Sequence, residues 1–125
     1  MQINMKDFCI LLVATMKLNG IHSFDINHIS EQVGVFSDNF ETRCLFANLC
    51  IGKSHEIIGM KSYLWMMLFS GYYYFEVLGT TWKIKIDERE ALRMVKRYSV
   101  DHQKAMNYLV EEYQNQFTQK INEKV

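Results

Sequence analysis

The chain has 125 residues and a mass of 14.9 kDa, with 49% apolar residues, 22% charged residues and no proline. A chain of this length buries about two-thirds of its unfolded surface, so one domain over residues 1–125 needs no metal or disulfide to hold a core, and the composition excludes a disordered tail or a proline-rich linker. Fourteen basic residues cancel fourteen acidic ones, which excludes a whole-molecule field drawing the chain to nucleic acid or to a membrane.

The three cysteines, Cys9, Cys44 and Cys50, are an odd number. They point to a reducing, cytoplasmic setting in which free thiols pack as small hydrophobes. No apolar run approaches the ~20 residues of a membrane span. Phe8 to Ala14 is flanked by Asp7 and Lys17 and lacks a small-x-small cleavage site, so it reads as a core helix rather than a secretory leader.

In chain order, Asn4 is placed to cap a helix over 5–18, with Asp7 at its third position, where a carboxylate favours the helix dipole. Apolar residues surround this helix on nearly all sides, which makes it the central core element, and Gly20 is placed to end it. Ile21 to Phe24 reads as an extended link. Asp25 caps a second helix with Ile26, Ile29 and Val33 at helical spacing, and Phe24 with Ile29 forms a hydrophobic staple. Gly34 is expected to stop that helix, and Ser37 or Asp38 to cap a third one reaching Cys50. Residues 51–71 are open between helix and strand. Tyr63 to Phe69 is apolar on every face, hence expected to be buried.

The hairpin is better specified. Strands 72–78 and 81–87 flank Gly79-Thr80, a two-residue turn with glycine at its first central position. This register places Val77 against Trp82, Phe75 against Ile84 and Tyr73 against Ile86 on one face. Glu76 against Lys83, Tyr74 against Lys85 and Tyr72 against Asp87 occupy the other. Asp87 and Glu90 open a fourth helix as a capping box, with Leu92, Val95 and Tyr98 as its core stripe. A fifth helix follows over 101–117, with Met106, Leu109, Val110, Tyr113 and Phe117 inward, and residues 118–125 are expected to fray.

Within Asp25 to Leu49 stand Ile29, Ser30, Val33, Gly34, Val35 and Phe40: an apolar residue and a small one, apolar residues on both sides of a glycine, and an apolar anchor beyond. This pattern resembles a helix-turn-helix, and with the preceding helix and following hairpin the stretch Asn4 to Asp87 looks like a winged helix. Arg43 departs from the pattern, which has an apolar residue there. The resemblance implies that Asn39, Thr42 and Arg43 would meet a DNA groove; the basic Lys96 and Arg97, beyond the resemblance, are candidates for further nucleic-acid contacts. Asp38 and Glu41 lie among those residues, which is a poor surface to bring to phosphates.

Charge is unevenly distributed. Residues 1–80 hold five basic and seven acidic residues, and residues 81–125 hold nine and seven. Lys83 and Lys85 share the outer face of the hairpin, and Arg89, Arg93, Lys96 and Arg97 follow on the next helix. Tyr72 and Tyr74 fall beside the two lysines, and exposed tyrosines among charges are common anchors of protein interfaces. Cys44, Cys50 and His55 lack the close pairing of a zinc site, and His22, His28 and His102 read as surface or capping groups. No phosphate loop or nucleophile elbow is present, so neither cofactor nor metal is expected.

The fold class expected is therefore α+β: a helical N-terminal half, an antiparallel hairpin and two C-terminal helices. The functional expectation is a non-enzymatic regulator or inhibitor of the antitoxin or immunity type, using Tyr72, Tyr74, Lys83, Lys85, Arg89 and Arg93 against another protein with an acidic surface. A homodimer is compatible with it. The alternative is a winged-helix DNA-binding regulator.

Overall fold

A computed structural model describes residues 3–38, 49, 60–71 and 74–123. Among these the chain is mixed α+β, with five helices and a three-stranded antiparallel sheet. In chain order they are α1 (Met5–Leu18), β1 (Ser23–Asp25), α2 (Ile26–Asp38), α3 (Met60–Gly71), β2 (Phe75–Leu78), β3 (Thr81–Ile84), α4 (Glu88–Val95) and α5 (Val100–Glu123).

α1 begins where its cap dictates. The Asn4 side chain accepts from the Asp7 amide at 2.8 Å, satisfying one of the first-turn donors that no helix can pair internally. It ends at Gly20, whose φ of 82° is a left-handed value that glycine adopts without strain. Nine of its residues are buried, from Met5 through Met16. α3, α4 and α5 all pack against it, as an all-round apolar helix requires.

The sheet order is β1-β3-β2. β2 and β3 pair in the register set by the two-residue turn: Phe75 faces Ile84, Glu76 faces Lys83 and Val77 faces Trp82. Gly79 takes φ 66° at the turn. The strands are shorter than 72–78 and 81–87, although the Lys85 amide still donates to the Tyr74 carbonyl at 2.7 Å. Tyr72 and Tyr73 lie outside the described residues. Ser23–Asp25 is not a link but a third strand, paired with β3 through Phe24 and Trp82. The inner face gathers Phe24, Phe75 and Trp82, with Trp65 of α3 edge-on to Trp82 at 4.9 Å. Edge-to-face contacts at such distances are the favoured geometry for aromatic rings.

Four helix expectations are corrected. α2 runs unbroken through Gly34 to Asp38, because burial of Ile26, Ile29 and Val33 outweighs the roughly 1 kcal/mol that a mid-helix glycine costs. The glycine on which the helix-turn-helix resemblance relies is therefore not a turn. α3 buries Met60, Leu64 and Met67 but leaves Trp65 40% and Met66 56% exposed, so it is not covered on every face. α4 buries Ala91, Met94 and Val95, and Leu92 faces outward: the small Ala91 lets α4 approach α1 more closely than leucine would. α5 stays helical to Glu123 instead of ending at Phe117, with Met106, Leu109, Val110 and Tyr113 inward. His102, expected at the surface, is buried. No described helix is long and apolar enough to cross a membrane. The third helix expected over 38–50 lies outside the described residues except for Leu49, which is buried and accepts a backbone bond from Ile3 at 3.1 Å.

Candidate functional site

The basic surface is built by two short elements and the connection between them. In β3 the alternation of a strand sends Trp82 and Ile84 inward and Lys83 outward. Ile86 continues the inward set and Lys85 the outward one. Asp87 then caps α4, its carboxylate accepting from the Glu90 amide at 2.8 Å. With the α4 core side fixed on Ala91, Met94 and Val95, the helical period places Arg89, Leu92, Arg93 and Lys96 on the outward side. All four are exposed, as is Arg97. The exposed Arg93 reaches back to the half-buried Glu90 at 3.0 Å. Lys85, Ile86, Asp87, Glu90 and Arg93 line a shallow depression of about 340 Å³.

Of the expected partner-face residues, Lys83, Lys85, Arg89 and Arg93 are all exposed, and Lys85 and Arg93 line the same depression. Tyr74 does not join them as a free anchor. It is half-buried against the core, with its ring 6.1 Å from that of Phe75. Tyr72 lies outside the described residues, as do Asn39, Thr42 and Arg43 of the nucleic-acid alternative, while Lys96 and Arg97 extend the α4 surface. Sequence reasoning missed Leu92 as a surface residue, since its apolar character assigned it to the core.

A second concavity lies elsewhere, along β1. It measures about 560 Å³ and is lined by Gly20 to Asp25, His28, Thr81, Tyr113 and Gln114. Asp25 is tied in place there. Oδ2 accepts from the Thr80 hydroxyl at 2.7 Å, and Oδ1 accepts from the His28 amide at 2.9 Å. These two bonds, the Thr80 hydroxyl first, hold its carboxyl below the ordinary carboxylate value. The His28 ring leans on Tyr113 at 5.5 Å. Burial, and then the Asp25 charge, raise the Tyr113 phenol above its ordinary value. No sequence signal marked this groove, because its wall is a three-residue strand too short to show a period.

No family model, no curated protein and no solved structure matches the chain. The chemistry therefore rests on the residues themselves. Among the described residues no group of three or more His, Cys, Asp or Glu side chains is placed to hold a metal ion, and Cys9 is buried.

Proposed function

We propose that this chain is a small non-enzymatic binding protein of the regulatory or inhibitory type, acting by protein–protein contact through the outer faces of the hairpin and α4. The observation that carries the reading is Leu92, 45% exposed on the same side of α4 as Arg89, Arg93 and Lys96. An apolar side chain framed by cations can be desolvated by a partner while the rim charges steer its approach. Residues 83–97 carry six basic and three acidic side chains, which favours a partner with an acidic surface. The interleaved Asp87, Glu88 and Glu90 make a mosaic suited to a protein rather than to a phosphate backbone, which rewards uninterrupted cations.

The test is affinity capture from the native host with the wild-type chain and an Arg89→Glu/Leu92→Asp variant, each analysed for bound protein and bound nucleic acid. Stoichiometric retention of one protein, lost in the variant at unchanged melting temperature, is expected. Retention of DNA that falls steeply with salt, without protein, would replace this reading by the nucleic-acid one.

A further inference from the structure

Asn19 closes α1 and is the only one of eight asparagines that a glycine follows. Asparagine is thermally labile, because its side-chain amide can be attacked by the main-chain nitrogen of the next residue. Glycine, without a Cβ, leaves that nitrogen least hindered. Gly20 is exposed and lines the groove along β1, so water reaches the pair. At φ 82° a Cβ added to Gly20 would meet nothing within 4 Å among the described residues.

The fold holds the reacting atoms apart. Asn19 has ψ 12°, which turns the Gly20 nitrogen toward the Asn19 nitrogen and away from Cβ. The Gly20 amide donates to the Lys17 carbonyl at 3.1 Å, and the Ile21 amide to the Met16 carbonyl at 2.9 Å. Both bonds must open before the Cα–C bond of Asn19 can turn. The side chain is held as well. Its Nδ2 donates to the Thr15 carbonyl at 2.8 Å and to Oδ1 of Asn107 on α5 at 3.3 Å. Gln114 of α5 donates to the Asn19 carbonyl at 3.1 Å. Asn107 and Gln114 lie on one face of α5, and together they clasp the C-terminal end of α1.

We propose that Asn19 is a modification site whose deamidation is controlled by the clasp between α1 and α5. When the end of α1 opens, the Gly20 nitrogen loses its proton to a solvent base and attacks Cγ of Asn19. The new N–Cγ bond replaces the Cγ–Nδ2 bond, Nδ2 leaves as ammonia with a proton taken from solvent, and a cyclic imide remains. Water then opens the imide at either carbonyl. The product is aspartate or, with the main chain rerouted through Cβ and Cγ, isoaspartate. Neither restores the clasp in full. A carboxylate has no hydrogen to give the Thr15 carbonyl, and its charge stands at the negative end of the α1 dipole. Isoaspartate also lengthens the main chain at the cap by one carbon. A single opening that reacts therefore leaves the end of α1 loosened from α5. This site rests on none of the α4 residues.

The experiment incubates the full chain at mildly alkaline pH, folded and in urea. Peptide-mapping mass spectrometry then separates amide, aspartate and isoaspartate at residue 19. In urea the chain should react at Asn19 before any other asparagine. Folding should slow that reaction by the factor, matched within about threefold, that protects the Gly20 and Ile21 amides from hydrogen exchange. Asn107→Ala/Gln114→Ala places good helix formers in α5. It should keep the wild-type circular dichroism and deamidate at Asn19 roughly tenfold faster. Asn19→Asp, which carries the product's charge, should melt below wild type. Reaction at Asn19 that is equally fast folded and in urea, or absent in urea, would overturn the proposal. So would an unchanged rate in the folded Asn107→Ala/Gln114→Ala chain, or Asn19→Asp melting with wild type. Should that double variant unfold, the wild-type comparison decides alone, and a mismatch between slowed reaction and amide protection overturns the proposal.

Discussion

Trp82 is wholly buried among three other aromatic rings, yet its indole Nε1 finds no acceptor among the described residues. Two opposing terms therefore act at one side chain. Trp82→Ala removes the ring and leaves a cavity, and is expected to cost about 3–5 kcal/mol in urea denaturation. Trp82→Phe loses less volume and also removes the unpaired donor, so its cost should stay below about 2 kcal/mol. A larger loss in the phenylalanine variant would mean that Nε1 is paired. At Tyr74 the half-buried ring makes Tyr74→Ala a stability variant as well as a surface one, which weakens it as a binding probe. Asp25 couples the start of α2 to the hairpin turn. Asp25→Ala should cost about 1 kcal/mol as a lost cap. Because folding lowers this carboxyl, its contribution is present above the unfolded value of 3.8 and fades as pH falls through the lower folded value. The stability gap between wild type and Asp25→Asn should accordingly narrow on acidification below that point.

Between residues and fold, the elements differ in how plainly they could be read. The hairpin was legible because two independent patterns, inward apolar residues and outward opposite charges, agreed on one register around Gly79. The caps Asn4, Asp25 and Asp87 were legible because a short polar side chain before an apolar period has one favourable use. β1 was not legible, since three residues show no alternation and its partner lies far along the chain. Leu92 and Gly34 were misread for a common reason: residue type was taken as location, and packing overrode it. Gly34 separates the two accounts of α2 by experiment. Its added Cβ would meet nothing within 4 Å among the described residues and its φ is not left-handed, so Gly34→Ala should stabilise the chain by about 0.5–1 kcal/mol. A turn at that position would give destabilisation instead. Gly79→Ala, at φ 66°, should destabilise by about 1 kcal/mol or more.

On the scale of the whole molecule, α1 is the shared wall against which α3, α4 and α5 pack. Among the described residues each of those helices makes its most extensive packing with α1. Phe8, fully buried on α1, is a probe of that dependence. Phe8→Ala is expected to cost about 3–5 kcal/mol and to lower the helical circular dichroism and tryptophan fluorescence midpoints together. Two separated transitions would show that the sheet and its aromatic cluster hold without α1. The candidate interface follows from the same arrangement. With Ala91, Met94 and Val95 committed to the core, α4 has one face left to present, and that face carries Leu92 among cations.

The pairing of β1 with β3 also bears on the order in which the molecule forms. β2 and β3 are joined by two residues, whereas Ser23 and its partner Lys83 are sixty positions apart. Closing the longer loop costs roughly 2–3 kcal/mol more chain entropy than closing the hairpin. The hairpin can therefore assemble first and serve as the template on which β1 docks late, once α1 and α2 have brought it into range. In kinetic terms, Gly79→Ala should slow refolding, while Thr80→Val, which removes the hydroxyl bound to Asp25, should leave the refolding rate nearly unchanged and speed unfolding.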